Sequence, residues 1–464
     1  GLVAGAALGL TAINRPLAGV AMAGPFVAWS GVRLLRAYLT PVSAGGHGTA
    51  VSLQDAYLTP LPPLQGTKGS EEGLMADTDK PGLAPTVGRG GSVVRVRRVL
   101  GPLLALAGVT LLVGLIIPAY NYAATGDARK NLYLLVWPYD RVGFGEGYGR
   151  NGHTLEKGLR QTRWDLSLTA ADLFGWQIGS FDEEARQHIL LEADYWPNLG
   201  LSWLLLPFGL IIGLKRRWTW WALWLLAGTA AFMGTTNLPA ETLRNRDFAL
   251  LWMGAAALWL LIPFAFFLRG KLDDQQAWTW LLLAIPLSLI GLHITYWIGS
   301  QRYSTRYYYE GLAALALLSA LPLGWLIKRG LAARWFLYPL VAAVLVYSLA
   351  SYSVPRIQPL YRFNWVSPEL IEAVNARRTT DAPVLVIVQG TDVRWRSFGS
   401  LMAVTSPFLD SDIVAAWDNG GEGQREAILA LFPDREVIEM TAVGNLSCFG
   451  DTLEGECYGE SAAR

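Results

Sequence analysis

The sequence predicts an α-helical polytopic membrane protein of about eight to nine transmembrane helices, with a small extracytoplasmic α/β domain at its carboxy terminus. Three observations lead there. Of the 464 residues, 52% are hydrophobic and only 16% charged, and the mean hydropathy is +0.29, a balance suited to lipid rather than water. Apolar runs near the roughly 20 residues needed to cross a bilayer core about 30 Å thick recur along the chain. After residue 354 those runs give way to short alternating helix and strand patterns. The net charge of +1 excludes general nucleic-acid binding, which needs a clustered basic excess.

The first segment, residues 1–36, holds membrane helices. Gly1 lies inside an apolar run, so the chain is expected to begin partway through a longer protein. Residues 1–13 read as the end of one helix and 17–36 as the next. Between them, Asn14-Arg15-Pro16 is either a tight loop or a kink, because proline removes a backbone donor. Residues 37–98 form a linker rich in Gly, Pro, Ser and Thr and without helical or strand periodicity, expected to be largely disordered and cytoplasmic. The transmembrane domain, 99–354, contains apolar runs at about 99–120, 199–214, 218–235, 248–268, 276–297, 308–327 and 335–354.

Lys and Arg gather in connections that the alternation of crossings places on one face: Arg33 and Arg36 with Arg89, Arg95, Arg97 and Arg98; Lys215-Arg216-Arg217; Arg269 with Lys271; Lys328 with Arg329 and Arg334. The rule that basic loops stay inside makes that face cytoplasmic. Trp218, Trp220 and Trp221 beside the Lys-Arg-Arg cluster fit an interfacial aromatic belt.

The opposite face then carries a long loop, 121–198, and the carboxy-terminal domain, 355–464. A loop of that length exceeds what a connector needs. It holds Gly143-Phe144-Gly145-Glu146-Gly147-Tyr148-Gly149, whose glycines could admit a phosphate but which follows no strand and opens no βαβ unit, so a dinucleotide site is rejected. Leu155, Leu159 and Leu166 fall on one stripe with Glu156, Lys157, Arg160 and Arg163 off it, predicting an amphipathic helix on the membrane surface. A second helix is expected from Ser180-Phe181-Asp182-Glu183, a capping-box pattern, to about Ala193. The outer-loop candidates are His153, Glu156, Lys157 and Arg160. His153 has no second His or Cys at ligand spacing, so no metal site is assigned. Asp140, Asp165, Asp172, Asp182 and Glu183 are each able to serve as a general base, and nothing in the sequence singles one out.

In the tail, Ser367-Pro368-Glu369 starts a helix with Leu370, Ile371 and Val374 on its apolar stripe. Val384 to Val388 reads as a buried strand, Gln424 to Phe432 as a second helix and Glu436 to Met440 as another strand. Cys448 and Cys457 are either bridged or two unpaired thiols, in the one compartment where a bridge persists. Asn445-Leu446-Ser447 matches a glycosylation sequon.

Two charges and three tyrosines meet at Ser304-Thr305-Arg306-Tyr307-Tyr308-Tyr309-Glu310, where an outer loop feeds an apolar run. At helical spacing Arg302, Arg306 and Glu310 share a stripe and Tyr303 with Tyr307 the neighbouring one. Arginine offers phosphate a fork of donors and tyrosine offers a ring and a hydroxyl, so Arg302, Arg306 and Tyr307 are candidates for binding a donor phosphate. The alternative is an aromatic belt with arginines snorkelling to headgroups.

With Ala12-Ile13-Asn14-Arg15-Pro16-Leu17, Tyr133 and Trp137-Pro138 before Gly143-Phe144-Gly145, Gly152-His153-Thr154-Leu155-Glu156, Arg306-Tyr307-Tyr308-Tyr309-Glu310 and an outer α/β tail, the chain resembles the GT-C superfamily of membrane glycosyltransferases, the group of protein O-mannosyltransferases and aminoarabinose transferases, in a bacterial form. The resemblance implies transfer of a sugar from a polyprenyl-phosphate donor to a lipid, glycan or protein acceptor, on the outer face of a bacterial plasma membrane. It also implies a catalytic carboxylate in a first outer loop that precedes residue 1, leaving the catalytic base of this chain unknown. No cofactor is evident, although a divalent metal serves some members. A transporter or a non-catalytic lipid-binding scaffold is the alternative; charges at helix ends and the absence of repeated halves favour the transferase.

Overall fold

A computed structural model describes residues 2–39, 90–168, 201–269, 273–298, 307–357, 366–391, 393–450 and 455–459. The chain divides into two compact units, Gly1–Leu345 and Val346–Arg464.

The first unit is helical. Helices α1 (Leu2–Asn14) and α2 (Pro16–Leu39) meet at Arg15. The Arg15 amide still donates to the Thr11 carbonyl at 2.8 Å, and Pro16, having no amide hydrogen, ends that ladder. The break is therefore a one-residue joint. Helix α1 lies on α3 (Gly90–Gly114), where Gly5 and Gly9 take the small-xxx-small spacing of close helix pairs. A methyl group on Gly5 would lie 2.6 Å from the Leu106 carbonyl oxygen, and the Thr110 hydroxyl donates to the Gly5 carbonyl at 3.1 Å. Because α2 runs on to Leu39 and α3 already starts at Gly90, both ends of the expected linker 37–98 are helical; its interior lies outside the described residues.

After α3 come α4 (Ile116–Thr125), the single turn α5 (Tyr133–Val136), α6 (Leu155–Leu168), α7 (Leu201–Leu214), α8 (Trp218–Thr236), α9 (Ala240–Arg244), α10 (Arg246–Leu268), α11 (Asp274–His293), α12 (Leu312–Ile327) and α13 (Leu331–Ser348). Among the described residues six helices are long and apolar enough to cross a membrane: Pro16–Arg36, Leu100–Thr125, Arg246–Leu268, Asp274–His293, Tyr309–Ile327 and Arg334–Ser351. Two expected spans fall short of that standard. The 199–214 run yields an apolar helix of only 13 residues, Ser202–Leu214, about 20 Å long at 1.5 Å per residue. The 218–235 run does form a helix of 19 residues, but Trp218, Trp220, Trp221 and Trp224 crowd its first two turns and lower its apolar character.

Helix α11 is the centre of the unit: 61% of its spanning window is buried, against none of Leu100–Thr125. Around it Trp221, Trp280, Phe264, Leu281 and Leu318 form one cluster, and Ala21, Ile285, Leu289 and Tyr308 another. Gly209 of α7 brings that helix against α12, since a methyl group there would lie 1.9 Å from the Leu318 carbonyl oxygen.

The second unit contains a five-stranded sheet of β1 (Val384–Gln389), β2 (Ile413–Asp418), β3 (Glu436–Val443), β4 (Leu446–Phe449) and β5 (Cys457–Gly459), in the order β2-β1-β3-β4-β5. The first three strands are mutually parallel and the last two antiparallel to their neighbours. Residues Val384 to Val388 of β1 are all buried, as a central parallel strand requires. One face packs under α14 (Glu369–Ala376) through Leu370 and Val374 and under α15 (Gly399–Val404) through Leu401; the other meets Ile428 and Leu429 of α16 (Gln424–Leu431). Cys448 and Cys457 face each other across β4 and β5 and are disulfide-bonded, which settles the pairing that spacing left open. Gly444 takes a φ of +58° between β3 and β4, as the first position of a primed hairpin turn demands. The sequon's Ser447 is fully buried in β4.

Candidate functional site

At the end of α11 that carries His293, the loop 137–153 and α6 dock onto residues 293–297. The Gly143 amide donates to the Thr295 carbonyl at 2.8 Å, and Gly145 exchanges backbone bonds of 2.8 and 2.9 Å with His153. The glycine run serves aromatic rings rather than a phosphate. Gly143 and Gly149 have φ of +140° and +75°, and a methyl group on either would lie 2.6 Å from the Tyr148 ring or 2.7 Å from Trp297. Asp140 accepts from the Tyr296 hydroxyl at 3.0 Å and from the Trp297 indole N–H. Burial first, then neighbouring Tyr307 and the Asp140 carboxylate, push the Tyr296 hydroxyl far above its ordinary pKa, so it stays a donor.

Three of the four outer-loop candidates, His153, Glu156 and Lys157, hold this docking together. His153 is 1% exposed, stacks on Phe144 at 5.4 Å and donates from Nε2 to the Ile294 carbonyl at 2.9 Å. Burial is the main cause that lowers its pKa, outweighing that hydrogen bond, so the ring is held neutral. Glu156 pairs with Arg244 at 2.8 Å, and Lys157 donates to the carbonyls of Asn151 and Gly152, both at 2.9 Å. Arg160 is exposed. Gly158 lets α6 approach so closely that a methyl group would lie 2.2 Å from the Ile294 carbonyl oxygen. Leu155 and Leu159, expected to face lipid, are instead buried with Phe144, Leu243, Ala249 and Ile294. The amphipathic stripe thus packs on the protein's own helices, because α9, α10 and the end of α11 present an apolar seat.

Beside this platform the helix ends bring distant charges together. Arg15 pairs with Glu310 at 3.0 Å, and the Glu310 carboxylate is 14% exposed. Its second oxygen is buried without a hydrogen-bond partner among the described residues. Glu310 sits in a short 3-10 turn, Tyr309–Gly311, that precedes α12. His293 stacks on Tyr307 at 5.1 Å and meets Tyr308 edge-on at 5.7 Å; Tyr307 in turn meets Tyr296 edge-on at 5.7 Å. Tyr308 is buried, and its hydroxyl lies near Thr162 and Asp165 of α6 without a hydrogen-bond partner among the described residues. Asp165 is itself only 3% exposed.

Below Tyr308 opens an almost wholly apolar cavity of about 130 Å³, lined by Leu166, Trp203, Pro286, Ile290, Leu312 and others. An engineered apolar cavity of about 150 Å³ holds benzene, so this one accepts a short stretch of hydrocarbon.

Of the phosphate candidates, Tyr307 belongs to this cluster, while Arg302 and Arg306 lie outside the described residues. So do Asp172, Asp182, Glu183 and the helix expected from Ser180. Sequence reasoning missed Arg15 and His293. The available signal was a charge at a helix joint and a histidine inside an apolar run, both costly in a membrane without partners. Among the described residues no group of three or more His, Cys, Asp or Glu side chains is arranged to hold a metal ion.

The described residues define a helical membrane-type chain carrying a small α/β unit. No family model matches it, and no curated protein or solved structure was found to be similar.

Proposed function

We propose that this chain is a membrane-embedded glycosyltransferase that moves a sugar from a polyprenyl-phosphate donor to a lipid, glycan or protein acceptor on the outer face of the membrane. In this reading the basic ends of the helices lie in the cytoplasm, the end with Arg15, His293 and Glu310 lies outside, and α1, α7 and α8 complete the crossings. One observation carries the reading. A cation and a set of aromatic rings stand next to an apolar cavity, the combination that a phosphate with a hydrocarbon tail requires.

The chemistry would run by inversion. A carboxylate takes the proton of the acceptor hydroxyl, whose oxygen attacks the anomeric carbon. The bond from that carbon to the phosphate oxygen breaks, and its electron pair leaves on the polyprenyl phosphate. Arg15, oriented by Glu310, and the Tyr307 ring would stabilise the developing charge on that leaving group. Asp140 is engaged by two donors and positions the 296–297 turn. The base remains the carboxylate that the resemblance places in a first outer loop.

The test is release of polyprenyl phosphate from a panel of lipid-linked sugars by the purified protein. Arg15→Ala is expected to lower turnover about a hundredfold, the scale of losing one electrostatic stabiliser, with Arg15→Lys recovering part of it at unchanged folded yield. Binding of the lipid without transfer would replace this reading with a scaffold. Parallel loss of folded protein and turnover would make Arg15 a structural anchor.

A further inference from the structure

Toward the other end of α11, where Trp280 lies about 20 Å along the helix from His293, is a second and larger opening. Its volume is about 560 Å³, and Arg217, Trp220, Trp221, Trp224, Ile262 and Phe266 line it. Volumes of a few hundred cubic ångströms or more suit organic ligands. The walls are firmly set. Trp224 stacks on Trp259 at 3.8 Å and its indole N–H donates to the Trp259 carbonyl at 3.2 Å, while Trp221 stacks on Trp280 at 5.6 Å.

The charges around this opening are not equivalent. Lys215 takes a φ of +54°, a conformation that non-glycine residues rarely adopt, and its ammonium pairs with Asp273 at 2.7 Å. Arg33 lies 4.8 Å from the centre of the Trp29 ring and Arg36 lies 5.1 Å from that of Phe267. Arg217 ends the short 3-10 turn Lys215–Arg217 and lines the cavity directly. No carboxylate pairs with it among the described residues. The local turn thus commits Lys215 to a protein carboxylate and leaves the guanidinium of Arg217 with an apolar, aromatic-walled groove.

We propose that this groove binds one anionic phospholipid, with Arg217 taking the headgroup phosphate and the Trp220, Trp224, Ile262 and Phe266 walls taking an acyl chain. A guanidinium matches phosphate oxygens with two donors, and a basic pocket between helices at an interface is suited to anionic headgroups. Tryptophan at that depth offers an apolar face to the chain. The groove is half open along Leu223 and Ile262, which are 59% and 43% exposed, so a lipid enters it from the side.

Native mass spectrometry of the detergent-purified full chain, titrated with phosphatidylglycerol or phosphatidylcholine, tests this directly. The expected result is saturable retention of one phosphatidylglycerol and weaker, unsaturated retention of phosphatidylcholine. Arg217→Gln should weaken phosphatidylglycerol binding about fivefold, the usual share of one basic residue at a membrane surface. Trp220→Ala, at a side chain that is 73% exposed, should weaken it without disturbing the core. Equal retention of both lipids, or unchanged binding in both variants, would overturn the proposal. Displacement of the lipid by millimolar inorganic phosphate would also overturn it, in favour of a free-anion site.

Discussion

At the scale of single residues, the outer loop turns on His153. Its ring donates a hydrogen bond to the Ile294 carbonyl, stacks on Phe144 and lies in a buried seat. A group whose pKa is depressed by folding binds its proton more readily in the unfolded chain. Its contribution is therefore whole above its ordinary pKa of 6.5 and is lost as pH falls below that value. Protease sensitivity of the 137–168 segment should rise as pH falls below about 6.5, and His153→Gln should remove that pH dependence. A flat profile in the parent protein would show that the loop is held by Gly158 and Leu155 alone. The sequence identified His153 as a lone histidine without metal partners, but not its role, because the carbonyl it binds lies 141 positions away. The same distance problem hid Arg15 and Glu310, 295 positions apart. Glu310 had been grouped with Arg302 and Arg306 by helical spacing, whereas its turn is 3-10 and its described partner comes from the α1–α2 joint.

At the scale of elements, helix and strand identity was legible because it is local. The runs that became α2, α10, α11 and α12, and the buried run of β1, were visible as continuous apolar stretches of the right length. Strands β4 and β5 were not, being short and fixed by a hairpin and a disulfide rather than by pattern. Close contacts were equally invisible, since a glycine in an apolar helix does not say which carbonyl it meets. Gly209→Ala puts a methyl group 1.9 Å from the Leu318 carbonyl oxygen, and backbone cannot yield as a side chain does. A loss of about 1–3 kcal/mol is expected for such overpacking, read as a lower thermal midpoint in detergent; Gly254→Ala, which meets nothing within 4 Å, serves as the control. In the sheet unit, Glu436 receives the Thr379 and Thr380 amides and both hydroxyls. The Thr380 hydroxyl first, with the Thr379 amide, holds its carboxyl down to about 2. That contribution is present above about 4.5 and disappears as pH falls toward about 2. The melting midpoint by circular dichroism should fall as pH drops through that window in the parent, and fall less in Glu436→Gln.

At the scale of the whole molecule, sidedness is a single binary choice that one chemical fact can decide. The rule that basic loops stay inside leads to the expectation that the basic helix ends lie in the cytoplasm and the carboxy-terminal tail outside. Cys448 and Cys457 supply an independent reporter, because their bridge persists in an oxidising compartment and not in a reduced one. Cells quenched in acid and treated with a maleimide polymer in denaturant should give no shift in gel mobility until reductant is added, after which two adducts appear. Two adducts without reductant would place the tail in the cytoplasm, reversing every loop and setting Arg15, His293 and Glu310 on the inner face, where the proposed outer-face transfer would have no site. The bridge also has an energetic consequence. Closing a loop of about ten residues restricts the unfolded chain by roughly 3 kcal/mol in the chain-entropy treatment, and β5 has only three residues with which to hold its edge. Reduction should therefore lower the urea midpoint of the sheet unit. If the midpoint is unchanged, β1 to β3 carry its stability without help from the hairpin, and the two cysteines report on compartment alone.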